Sequence, residues 1–183
     1  MNRLLAGPLM LTMMAVLSTA AMAAQRSISI PSSTITANGT ATNFGTSLAL
    51  PSAGQTGGFI SFVLPRDYKA GTVVKIRLTM YTSTAGACGV YMFPRQALRM
   101  RTGKPFYNST ERFTIVGGPD VPSPAALTIL SKTFELRAPL GATFAGQLPG
   151  DAFELEVGRD GDQAADTCGN VFVKNAEIRY TRR

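Results

Sequence analysis

Between Val74 and Tyr81 apolar and polar residues alternate without a break: Val74, Ile76, Leu78 and Met80 against Lys75, Arg77, Thr79 and Tyr81. A period of two puts one set on each face of a strand, whereas a helical period of about 3.6 residues would scatter the apolar set around a cylinder. Upstream, Phe59-Ile60-Ser61-Phe62-Val63-Leu64 is a short aromatic and branched run, ended by Pro65, which has no backbone donor. Arg66–Gly71 between them is polar, with a glycine free to take positive φ, and reads as a turn. Gly57–Tyr81 is therefore expected to form a hairpin with one buried and one wet face.

The same rhythm returns in Phe153, Leu155 and Val157 against Glu154 and Glu156, after a Pro149-Gly150 pair with a type II turn signature. It returns again in Ile178 and Tyr180 against Glu177 and Arg179. Further strands are expected at Ser27–Ile30, Ser47–Leu50, Val90–Phe93 ended by Pro94, Phe113–Val116, Leu127–Leu130, Thr133–Arg137 and Val171–Val173, with one more within Pro139–Gly146. Ser32–Thr46 reads as a surface connection or a weak edge strand, and Gly117–Pro124 as a loop. About nine or ten short strands, separated by turn signals and without a helix, predict an all-β fold: an antiparallel two-sheet sandwich, jelly-roll-like.

Pro149-Gly150-Asp151, Arg159-Asp160, Cys168-Gly169 and Ile178-Arg179-Tyr180, with Phe62–Tyr68 and Gly71, resemble jelly-roll-like modules of exported bacterial proteins and phage tail appendages. The resemblance spans about two thirds of the chain after residue 23 and rests on turn and strand signals. It implies a fold and no activity, because sandwiches carry many unrelated functions.

The first 23 residues change the picture of compartment. Arg3, an apolar run from Leu9 to Leu17 and Ala21-Met22-Ala23 make the pattern of a cleaved secretory signal peptide, and the run is short for a membrane span. Residues 24–183 are then expected to be one domain, periplasmic or extracellular, with no membrane span. In an exported chain the only two cysteines, Cys88 and Cys168, read as one disulfide. Whether Ser27–Ile30 pairs within its own chain or with a neighbour is left open by the pattern.

The chain has no histidine, which removes Ser–His and Cys–His nucleophile pairs and imidazole metal sites. No nucleophile elbow and no phosphate-binding glycine loop is present. Carboxylate chemistry remains. Glu154 and Glu156 share a strand face at ~7 Å, a spacing suited to an inverting glycosidase, although strand alternation alone places them there as a solvated face. Asp160, Asp162 and Asp166 lie in one loop and offer hard oxygen ligands to calcium, but Ala164 stands at the third ligand place of the EF-hand pattern and no glutamate closes it.

The sharpest binding candidate is the run Arg95, Arg99, Arg101 and Lys104, which holds no acidic residue and is followed by Phe106 and Tyr107. Guanidinium forks suit carboxylate, sulfate or phosphate, and Tyr107 offers a face to a sugar ring. The chain contains no tryptophan for a sugar platform, and no nucleic-acid recognition motif accompanies its net charge of +7. The expectation is a non-enzymatic exported β-sandwich, a binding or structural module without a cofactor. Its partner would be a glycan, an anionic envelope polymer or a protein, and no nucleic acid. The alternatives are a carbohydrate or anionic-polymer reader using Arg95, Arg99, Arg101, Lys104 and Tyr107, and a carboxylate glycosidase or lyase.

Overall fold

A computed structural model describes residues 24–100, 112–116, 120–123, 127–137 and 147–183, with backbone alone at 94–96, 112–116, 120–123 and 137. Twelve strands lie among the described residues: β1 (Gln25–Pro31), β2 (Thr36–Asn38), β3 (Thr42–Phe44), β4 (Ser47–Leu50), β5 (Gln55–Val63), β6 (Val74–Thr82), β7 (Cys88–Met100), β8 (Arg112–Val116), β9 (Asp120–Ser123), β10 (Leu130–Arg137), β11 (Ala152–Asp160) and β12 (Val171–Thr181). The described residues hold no helix beyond a single 3-10 turn, Ser32–Thr34, and none long and apolar enough to cross a membrane.

All the pairings are antiparallel, and they build two sheets. In the first, β12 lies between β6 on one side and β1 and β4 on the other; β10 adds beyond β6, and β3 beyond β4. The second runs β2–β5–β11–β7. Strand β8 pairs with both β10 and β7 and so joins the two. From β4 to β7, and again from β10 to β12, the chain alternates between sheets, the crossing pattern of a jelly roll. One hydrophobic cluster fills the space between them, with Ile76, Leu78 and Met80 from one sheet and Ile60, Phe153 and Leu155 from the other, all fully buried. The alternation predicted for β6 holds at every position, Val74 through Thr82.

The expected hairpin does not form. Strands β5 and β6 lie in different sheets, β5 against β2 and β11, β6 against β10 and β12. Alternation fixes which face of a strand is buried but not which strand it pairs with. The connection 64–73 closes the end of the sandwich with a turn whose Arg66, Lys69 and Gly71 are exposed and whose Gly71 takes the expected positive φ, 77°. Leu64 donates to the Asp151 carbonyl at 2.9 Å. Tyr68 is fully buried, with its hydroxyl on the Thr72 carbonyl and its ring edge-on to Tyr180.

Pro94 does not end its strand either: β7 runs from Cys88 to Met100. Val157 faces Pro94 and Glu156 faces Gln96, so Arg95 is an extra residue on the β7 side, and a proline is tolerated at such a bulge. Strand β12 is continuous where two segments were expected. A register shift between Val173 and Asn175 moves the inward set from Val171 and Val173 to Ala176, Ile178 and Tyr180. Within Ser32–Thr46 the edge-strand alternative is realised, as the short edge strands β2 and β3, and β9 lies within the expected loop Gly117–Pro124. Strand β10 starts at Leu130, so Leu127–Leu130 forms no separate strand; Leu127 sits at φ 58°. The N-terminal strand pairs in cis, Gln25 to Thr181 through Pro31 to Asn175. The expected signal peptide and the strand within Pro139–Gly146 lie outside the described residues.

Candidate functional site

Parity on the first sheet predicts polar residues on its outer face, and at one end it carries rings instead. Tyr81 of β6 and Phe172 of β12 are directly paired, and both occupy outward positions. Their rings stack at 4.9 Å between centroids and 16° between planes. On the far side of β12, β4 presents only Ser47 and Ala49 outward, and both are small. Phe44 of β3 can therefore lean across β4 and meet Phe172 at 5.8 Å and 53°. Its ring stays 66% exposed. Extending the Leu130–Met80 register by one residue sets Ile129, 65% exposed, beside Tyr81.

Lys174 borders this cluster. Its ammonium lies 5.9 Å from the Tyr81 ring centre and donates to the Thr46 hydroxyl at 2.9 Å and the Ser47 hydroxyl at 3.0 Å. Further along the same face the register gives a row of Asn175, Thr79 and Ser131, then Ser29, Glu177, Arg77 and Thr133, then Ser27, Arg179, Lys75 and Glu135. Arg179 holds Glu177 through Nε at 2.9 Å and Nη2 at 2.8 Å. The guanidinium keeps the Glu177 carboxyl below the usual carboxylate range, against a smaller opposing effect of burial. At this end an open cleft of about 190 Å³ is lined by Gln25, Arg26, Ser27, Glu177 and Arg179. From Phe172 to Arg179 the strand covers roughly 20 Å.

The aromatic end adjoins a cross-linked end of the sandwich. Cys88 and Cys168 form the predicted disulfide, with Cα atoms 5.1 Å apart. Arg159 is fully buried beside it, and all five of its N–H groups are used. Nε and Nη2 grip the two oxygens of Asp166 at 2.8 and 2.6 Å. Nη1 donates to the carbonyls of Leu50 at 2.8 Å and Gly169 at 2.7 Å, and Nη2 also donates to that of Cys168. Tyr91 donates its backbone N–H to Asp166 at 2.9 Å. Across the same end, Ser83 donates to the Asn170 carbonyl at 3.2 Å and Gly169 to the Thr84 hydroxyl. Tyr81 and Phe172 stand directly beyond these clamped loops.

Those sequence-derived candidates that lie among the described residues fall elsewhere. Arg99 is buried, and its Nη1 lies 3.2 Å from Asp151 Oδ2, which also accepts from the Leu148 N–H at 2.9 Å; the pair locks the Pro149-Gly150 turn. Arg95 occupies the β7 bulge, and Arg101, Lys104 and Tyr107 lie outside the described residues. The three aspartates are used by the protein itself. Asp166 holds Arg159, Asp160 accepts from Gln55 and Gln163, and Asp162 accepts from the Gly54 N–H. Among the described residues no cluster of three or more acidic or cysteine side chains can hold a metal ion. Glu154 is half-buried, and Glu156 is buried and accepts from Asn38 Nδ2 at 2.7 Å, so that end of the strand face is not solvated.

The sequence matches no protein family, and it matches no curated protein. Among solved structures, similarity is found to the CBM35 of Cellvibrio japonicus Abf62, at TM-score 0.42 and 6% identity over 86% of this chain and 99% of that one. A family 11 carbohydrate-binding module from Clostridium thermocellum, in complex with a β-1,3-1,4-mixed-linked tetrasaccharide, is similar at TM-score 0.32 and 13% identity, over 84% of this chain and 87% of that one. The fold of this chain is defined by its own strand pairing, and its site by its own side chains.

Proposed function

We propose that the chain is an exported, non-enzymatic binding module that takes a glycan on the outer face of its first sheet. The observation that carries this reading is the Phe44–Phe172–Tyr81 cluster at positions where strand parity calls for polar side chains. An apolar patch kept in water and rimmed by polar groups is the mark of an interaction surface. Sugar rings combine C–H faces, which lie against aromatic rings, with hydroxyls, which pair with amides and hydroxyls. Asn175, Thr79 and Ser131 supply the latter next to the former. The clamped loops beneath favour affinity, because a pre-formed face loses little freedom on binding. Burial of Glu156 against Asn38 speaks against a pair of acid–base carboxylates on β11.

Calorimetric titration with a panel of neutral and acidic oligosaccharides tests the reading. Phe44→Ala and Phe172→Ala are each expected to weaken binding about tenfold, ~1.4 kcal/mol. A panel with no binder, or a binder indifferent to both substitutions, overturns it.

A further inference from the structure

Among the described side chains, the outward positions of β6, β10 and β12 hold four cations, Lys75, Arg77, Lys174 and Arg179, against two carboxylates, Glu135 and Glu177. The two carboxylates are taken: Glu135 lies 3.5 Å from Lys75, and Glu177 is gripped by Arg179. Lys174 is held by two hydroxyls and a ring, none of which neutralises it. Arg77 lies opposite Glu177 and interacts with it through its charge, while Arg179 donates twice to that same carboxylate. This end of the sheet therefore presents two cations whose charge is not matched, Lys174 beside the rings and Arg77 beyond the Asn175–Thr79 row.

Resting on the glycan reading above, we infer that the ligand is an anionic glycan, lying along β6 and β12 with acidic groups at Lys174 and Arg77. The shared chemistry is a negatively charged sugar polymer, its charge from uronate carboxylates or from sulfate esters. The spacing fits a polymer better than a monosaccharide. Lys174 and Arg77 flank a neutral row of amide and hydroxyl groups, so charges repeated along a chain can meet both at once. Arginine offers a planar fork to such groups, and the lysine ammonium a compact charge on the ring edge.

The test uses the complete mature protein and three probes: polygalacturonate, heparin and a neutral mixed-linked glucan, each titrated at low and at physiological salt. Binding to polygalacturonate or heparin at least tenfold tighter than to the glucan, and weakened several-fold by the added salt, supports the proposal; which of the two binds tells carboxylate from sulfate. Arg77→Gln and Lys174→Gln, confirmed folded by their melting curves, are each expected to lower acidic-glycan affinity about three- to tenfold and glucan affinity by a clearly smaller factor. Glucan binding equal to or tighter than that of both polyanions, with no salt dependence, overturns the anionic assignment while the glycan reading stands. No binding to any of the three overturns both. Salt-dependent polyanion binding that neither substitution changes places the contact elsewhere and overturns this site.

Discussion

Replacing Arg159 with methionine removes the guanidinium from a fully buried position and keeps much of its volume. Asp166 then keeps the Tyr91 N–H but loses both charge-assisted partners, and the carbonyls of Leu50, Cys168 and Gly169 lose their donors. Stranding one member of a buried ion pair costs about 3–5 kcal/mol. For a chain of this size, each kcal/mol lowers the melting temperature by about 2–4 °C, so a drop of roughly 6–20 °C is expected. Removing both charges is a different perturbation. Arg159→Met with Asp166→Leu leaves no buried ion at this site and is expected to recover a large part of the loss, because the desolvation cost of a buried pair largely offsets its attraction. The assay is urea denaturation with the disulfide intact, run as a double-mutant cycle. A single variant within about 1 kcal/mol of the parent, or a double variant no more stable than the single, would refute the clamp as the support of this end of the molecule.

The Cys88–Cys168 bridge closes a separation of 80 residues, for which the chain-entropy relation gives about 4.5 kcal/mol, so Cys88→Ser with Cys168→Ser is expected to lose up to that amount in denaturant titrations, and no loss would contradict a structural bridge. Burial, and at Tyr180 also the Asp67 carboxylate, hold the phenols of Tyr68 and Tyr180 above their ordinary value of 10.0. The raised folded values mean that stability is complete below pH 10.0 and falls as pH rises through them, so ultraviolet titration should show a late-ionising fraction that collapses with alkaline unfolding; Tyr68→Phe should reduce that fraction. Glu177 behaves oppositely: its folded value lies below 4.5, so its contribution is complete above pH 4.5 and lost as pH falls through the folded value. Melting curves of the parent and Glu177→Gln should differ at neutral pH and converge in acid; a gap that persists in acid would assign the effect to something other than charge.

The strands were largely legible because burial writes itself into local rhythm: β6 alternates in the sequence as it does in the fold. Partners were not legible. Phe59–Leu64 and Val74–Tyr81 look like a hairpin because they are neighbours in sequence, yet each pairs with other strands, β11 and β12 near the C-terminus among them. Bulges also hide in a sequence. One lets β7 continue through Pro94, and another reverses parity within β12. Nothing local in the sequence reveals that three carbonyls and a carboxylate converge on Arg159. The aromatic cluster draws on residues 44, 81 and 172 and becomes a cluster only through sheet register. One signal was present: Tyr81 and Phe172 are rings at strand positions that alternation assigns to water. The basic run is conspicuous in the sequence for its charge, and in the fold its Arg99 pairs with Asp151 at a turn.

The central claim is a location, and a nuclear magnetic resonance titration of labelled residues 24–183 with acidic and neutral oligosaccharides reads it directly. The account predicts that the largest shifts fall on Phe44, Tyr81, Phe172 and Lys174, then on Thr79, Asn175 and Arg77, with the β11 and β7 signals unmoved. Shifts centred on residues 95–107, or saturable binding that leaves all three rings unchanged, would contradict it.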